Sequence, residues 1–149
     1  SYYWGKADIE FKSSTVAGLN IDTNTQNIYY FNKDSIIFYN VRTKDSYSRK
    51  FTNECPLHLR LGTNFIDKAN NRIYVYEVSD LLSGDVTMAY IDLENYTWVT
   101  VTKQLLPIQL HHHSSYFDEA NRRYIIFGRF GNLKYNKNFY SFNLDTNSW

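Results

Sequence analysis

Three groups of residues in this chain could do chemistry by type and spacing. His111-His112-His113 offers imidazoles for a metal or a proton. Consecutive side chains on a strand point to opposite faces, so only His111 and His113 could share a side, and three adjacent imidazoles make a poor metal cage. Cys55, with Pro56 and His58 close by, has the types for a nucleophile and a base, but a lone cysteine in a connecting loop has no third group to orient it. Asp92, Glu94 and Asp145 could pair as carboxylates, yet they fall in polar turns, where such side chains bond nearby backbone groups. The chain has no Gly-rich phosphate loop, nucleophile elbow or hydrolase carboxylate motif. The expectation is therefore no catalytic residue, no metal ligand and no cofactor.

Composition narrows the class further. A chain of 149 residues is long enough for one domain, and a net charge of +1 argues against a nucleic-acid partner, which needs a basic patch. Aromatic residues make up 18%, with 14 Tyr, and such side chains pack well on a pleated sheet. No apolar run approaches the roughly 20 residues of a membrane-spanning helix. The opening SYYWGKADIEF lacks a signal-peptide pattern, and we expect a chain cut from something longer. With Cys55 the one cysteine, no internal disulfide can form. The sequon Asn95-Tyr96-Thr97 is weak evidence of secretion, so the compartment stays open; a bacterial cell-surface or extracytoplasmic setting is the one kept in view.

The elements that would position these residues repeat along the chain. Phe65-Ile66-Asp67-Lys68-Ala69-Asn70-Asn71-Arg72-Ile73-Tyr74 overlays Tyr116-Phe117-Asp118-Glu119-Ala120-Asn121-Arg122-Arg123-Tyr124-Ile125 at a spacing of 51. A second anchor, Asp92 to Trp98 over Asn143 to Trp149, has the same spacing of 51. A looser first passage matches at Ile21-Asp22-Thr23-Asn24 and Tyr39-Asn40-Val41-Arg42-Thr43, without a Trp. Each passage reads as four short strands joined by Asp/Asn turns, and the third stops at the Trp that would open its fourth strand. That pattern predicts an all-β chain of β-propeller blades with almost no helix. Residues 1–13 read as an N-terminal strand segment, 14–53 as blade one, 54–104 as blade two and 105–149 as a truncated blade three. Trp98 and Trp149, with Tyr90 and Tyr140 or Phe142, are expected to pack between neighbouring blades.

His113-Ser114, Tyr124-Ile125-Ile126-Phe127-Gly128 and the run from Asn138 to Trp149 resemble a kelch repeat of the galactose-oxidase-central-domain-like superfamily. The likeness covers about three blades, so it implies a partial propeller that further blades or another chain would close. Kelch units carry a Gly-Gly pair after the second strand; here Gly128-Arg129, Glu77-Val78 and Asn32-Lys33 stand there. The resemblance also implies that one residue of the His cluster is structural. Thr15, Arg60 and His111 lie seven residues before Asp22, Asp67 and Asp118, a position that in kelch propellers rims the docking face together with the loops between strands two and three. Those loops are expected at 32–34, 77–85 and 129–137, with Phe130 and Tyr135 as anchors. Thr15, Arg60, His111, Arg129 and Tyr135 are the candidate binding rim. The function implied is a non-catalytic binding or scaffold module for a protein or carbohydrate. The alternatives are a fragment of a kelch-propeller enzyme, of copper-oxidase or sugar-acid-isomerase type, or a sensor domain of a larger bacterial protein.

Overall fold

The computed structural model describes residues 20–59, 62–78, 85–105, 110–130 and 138–149. Within them the regular structure is almost all strand: β1 (Asn20–Asp22), β2 (Asn27–Phe31), β3 (Ser35–Asn40), β4 (Ser46–Lys50), β5 (Gly62–Asp67), β6 (Arg72–Val78), β7 (Asp85–Asp92), β8 (Trp98–Leu105), β9 (Leu110–Asp118), β10 (Arg123–Phe130) and β11 (Tyr140–Asn143). The one helical element among the described residues is a 3-10 turn, Lys68–Asn70. Sequence neighbours pair antiparallel into three sheets, β1-β2-β3-β4, β5-β6-β7-β8 and β9-β10-β11. The described chain is thus all-β, built of propeller-type antiparallel sheets, two of four strands and one of three. After β11 the third sheet continues only as an isolated bridge between Asn143 and Ser148. The strand expected within 1–13 lies outside the described residues.

The repeated turns explain the repeated sheets. In each, an Asp or Asn opens the turn and a non-glycine residue four positions later takes a left-handed conformation: Gln26, Asn71 and Arg122 after the first strand, and Lys44, Tyr96 and Asn147 after the third, with φ from 51° to 63°. The opening side chain satisfies the turn's own backbone, as where Asn24, Arg42, Glu94 and Asp145 donate their N–H groups to Asp22, Asn40, Asp92 and Asn143 at 2.8–3.0 Å. The two turns of a sheet are then tied together. Val41, Leu93 and Leu144 donate backbone N–H bonds to the carbonyls of Gln26, Asn71 and Arg122 at 3.0, 3.0 and 3.1 Å.

The second sheet is the middle layer, and its central strands β6 and β7 are apolar on both faces. Ile73, Val75, Ala89 and Ile91 pack with Tyr29, Phe31, Ile36 and Phe38 of the first sheet, while Tyr74, Tyr76, Val86 and Met88 pack with Tyr124, Ile126 and Phe142 of the third. Alternation along β6 and β7 sends successive residues to opposite neighbours, so a strand buried on both sides reads as a continuous apolar run. Trp98 meets Phe31 with ring centroids 5.5 Å apart, and Trp149 meets Tyr76 at 5.5 Å. Both indoles therefore lie between sheets, as expected.

Two loop boundaries differ from the sequence expectation. Glu77 and Val78 belong to β6, and Arg129 and Phe130 to β10, so each strand runs two residues further than expected, and Asp85 already opens β7. Backbone pairing of Glu77 with Gly62 and of Phe130 with Leu110 holds the extra residues in the ladder. The third sheet accommodates its extension by a shift of register between Gly128 and Arg129, where His113 and His111 are the partners and His112 is the extra residue.

Candidate functional site

The antiparallel pairing gives the sheets two unlike ends. At one end lie the Asp/Asn turns, which are locked across the sheets by charge. Lys68 Nζ stands 3.5 Å from Asp22 Oδ1, and Arg122 holds Asp67 through two parallel bonds of 3.2 and 3.1 Å while its Nε reaches Asp145 at 3.0 Å. Asp67 is fully buried. Burial alone would raise its pKa, but the Arg122 guanidinium and the Asn70 side chain outweigh that and hold the carboxyl below its ordinary value. Asp22 is lowered likewise: burial opposes ionisation, while the Asn24 N–H, the Thr25 hydroxyl and Lys68 favour it.

The opposite end gathers the variable parts. The connection 32–34, the ends of β6 and β10, the starts of β5, β7 and β9, and the exits from β4 and β8 fall here, as the pairs Ser35 with Lys50, Gly62 with Glu77, Asp85 with Leu105 and Phe130 with Leu110 require. Asn32 closes the shortest connection by accepting bonds from the Asp34 and Ser35 N–H groups at 3.0 and 2.7 Å. Between this turn and the linker that leaves β4 lies a cavity of about 340 Å³, whose lining includes Lys33, Asp34, Lys50, Glu54, Phe51 and Cys55. The linker is fastened at several points. Phe51 N–H bonds the Asp34 carbonyl at 2.9 Å, and Phe51 packs edge-on against Trp98 at 5.3 Å. Asn53 bonds both the N–H and the carbonyl of Trp98, at 2.7 and 2.9 Å.

The linker's last fastening is a buried carboxylate that sequence reasoning assigned to a loop. Glu77 is 1% exposed and accepts the backbone N–H groups of His58 and Leu59 at 2.9 and 2.7 Å, with His58 Nδ1 at 3.1 Å. Leu59 is itself buried in a left-handed conformation, so Glu77 stabilises a bend that a non-glycine residue disfavours. The available signal was a charged residue inside the apolar run Arg72-Ile73-Tyr74-Val75-Tyr76-Glu77-Val78.

Of the candidate rim, His111 and Arg129 are brought together as direct backbone partners at the start of β9 and the end of β10; their side chains lie outside the described residues. Thr15, Arg60 and Tyr135 also lie outside the described residues. Cys55 is half-buried with its Sγ 3.7 Å from the Leu57 carbonyl, and burial pushes its thiol up to about 11, which leaves it protonated and a poor nucleophile at neutral pH. Among the described residues, no group of three or more His, Cys, Asp or Glu could hold a metal ion.

No protein-family model matches the chain, and no curated protein matches it. Among solved structures, the WD40 domain of SCAP from fission yeast is similar at 14% identity and a TM-score of 0.33, over 85% of this chain and 33% of that one. The chain thus spans about a third of that structure's length. Its own sheet order and its alternating inter-sheet cores carry the assignment as an all-β, propeller-type array of sheets.

Proposed function

We propose that the chain is a non-catalytic binding or scaffold module of kelch-like blades, which docks a protein partner at the end bearing the variable connections. The observation that carries this is the asymmetry between the two ends. At one end Asp22 and Asp67 of the repeated turns are paired with cations from the neighbouring sheet, whereas at the other the turn after β2 and the linker after β4 enclose a charged cavity. Loops presented by a rigid scaffold are the usual carriers of recognition. Lys33, Lys50, Asp34 and Glu54 offer both signs of charge, which suits a polypeptide surface better than an uncharged sugar. Phe51, the ring in the cavity wall, is already engaged edge-on with Trp98. The proposed rim also takes in Arg60, His111, Arg129, Thr15 and Tyr135, on the strength of their positions in the repeat.

The test is affinity capture with the intact chain and two variants. One carries Arg60→Ala, His111→Ala and Arg129→Ala together with Lys33→Glu and Lys50→Glu; the other carries Arg42→Glu and Lys44→Glu at the opposite end. The first should lose the captured protein and the second should keep it. Equal capture by both would overturn the proposal.

A further inference from the structure

The third sheet has a face whose residues are repeat equivalents of buried ones. Phe65, Tyr74, Tyr76 and Met88 of the second sheet are 4%, 3%, 0% and 1% exposed, packed in the core shared with the third. Fifty-one positions further on stand Tyr116, Ile125, Phe127 and Phe139. Tyr116, Phe127 and Phe139 are 67%, 40% and 71% exposed, and the last two stack on each other with centroids 4.8 Å apart. An apolar face of this kind, continuous in pattern with an established interface, marks a surface that another element covers.

Two further contacts recur where one sheet meets the next. The Asp opening the first turn takes a cation from the following sheet, Asp22 from Lys68 and Asp67 from Arg122. A ring on the second strand takes an indole from the following sheet, Phe31 from Trp98 and Tyr76 from Trp149. The third sheet carries both receiving groups. Asp118 is held, among the described residues, by Asn121 of its own turn, and Phe127 stands where Phe31 and Tyr76 stand.

We propose that this face docks a further sheet of the same repeat, with Lys or Arg in its first turn for Asp118 and a Trp after its second turn for Phe127. The chain's own first sheet, offered by a second copy, is the rival occupant. It has Thr23, Gln26 and Ser46 where Lys68, Arg122 and Trp98 stand in the sheets that dock, and so supplies neither the cation nor the indole. In repeat architectures each unit is stabilised by its neighbour's interface, so the docked sheet should unfold together with the rest.

The spacing of 51 permits a direct test. Appending a second copy of residues 99–149 after Trp149 gives the third sheet a fourth strand and then adds one further sheet, which carries copies of Arg122 and Trp149. The extended chain should unfold in one transition at a higher urea midpoint than the 149-residue chain. Phe127→Asp, close to neutral in the original chain, and Asp118→Ala, which there loses only the bonds to Asn121 of its own turn, should each lower the midpoint more in the extended chain. Equal effects of these substitutions in both chains would overturn the proposal. So would digestion of the added repeat by protease while the original three sheets survive. Concentration-dependent dimerisation of the original chain, abolished by Phe127→Asp, would assign the face to a second copy instead.

Discussion

Arg122 takes a left-handed backbone conformation at the turn between β9 and β10, and from there its guanidinium grips the buried carboxylate of Asp67 in the neighbouring sheet. The turn therefore both shapes one sheet and docks it on the next. Arg122 also reaches Asp145, so three turns from two sheets meet on one side chain.

Removing that side chain strands Asp67 in the interior with Asn70 as its remaining side-chain partner among the described residues. Breaking a buried pair from one side costs about 3–5 kcal/mol. Arg122→Gln is accordingly expected to lower the free energy of unfolding by about 3 kcal/mol, measured by urea titration. Arg122→Lys should recover only part of this, because an ammonium cannot reproduce the two parallel bonds. A loss below about 1 kcal/mol for Arg122→Gln would show that the pair contributes little.

The same carboxylate sets the acid response. The folded pKa of Asp67 lies below its ordinary 3.8, so the stabilisation is complete above that value and is lost as pH falls through the lower folded one. Unfolding free energy measured between about pH 5 and 2 should fall along this limb. Asp67→Asn should be less stable at neutral pH and flatter over the acid range. An unchanged acid slope would assign the response to other carboxylates.

Glu77 is expected to matter through the linker and not through chemistry. Glu77→Ala leaves the buried N–H of Leu59 and the N–H of His58 without their carboxylate, at a cost of about 3 kcal/mol. Glu77→Gln keeps one acceptor and should cost less. Hydrogen exchange at the Leu59 amide reads the effect directly: its protection should collapse in Glu77→Ala ahead of the strands of the second sheet. Uniform loss of protection across all three sheets would contradict a local anchoring role.

How much of this was legible in sequence depended on whether the signal was local or distant. The paired anchors 51 residues apart, Asp67 with Asp118 and Trp98 with Trp149, made the repeat visible, because each turn must solve the same backbone problem with the same residue types. The inter-sheet position of both indoles followed from that repeat. The strand ends at Glu77 and Arg129 were not legible, since a charge at the end of an apolar run ordinarily marks a loop, and the partners that satisfy the buried Glu77 carboxylate are backbone donors 18 and 19 residues away. Arg122 was passed over for the same reason. Nothing in its neighbourhood announces a partner 55 residues distant.

The left-handed turn positions predict a gain as well as losses. Lys44 has φ 63° and lies exposed, with its N–H on the Asn40 carbonyl at 2.8 Å. A β-carbon in that conformation costs about 1–2 kcal/mol, against which glycine loses about 0.5–1 kcal/mol in chain entropy. Lys44→Gly should therefore raise stability by about 0.5–1 kcal/mol, read as an upward shift of the urea midpoint at unchanged slope. Arg122→Gly at the equivalent conformation should do the opposite, because there the side chain carries the Asp67 contact. Similar effects at both positions would mean that backbone strain alone governs these turns.

Cys55 offers a kinetic check on the linker's packing. Its thiol is raised from 9.0 to about 11, first by burial and then by the nearby carboxylates Glu77 and Glu54, against the lowering effect of the Leu57 backbone. Only the thiolate reacts with alkylating reagents, and a rise of this size leaves about a hundredfold less of it at pH 8 than in the unfolded chain. Iodoacetamide should thus modify the folded protein at least about a hundredfold more slowly than the urea-unfolded protein, with the folded rate still climbing as pH passes 10. Glu77→Ala removes one of the raising charges and frees the bend at Leu59, so it should accelerate alkylation at fixed pH without global unfolding. A folded-state rate matching the unfolded one would place the thiol in solvent and remove the linker from the packed interface between the first two sheets.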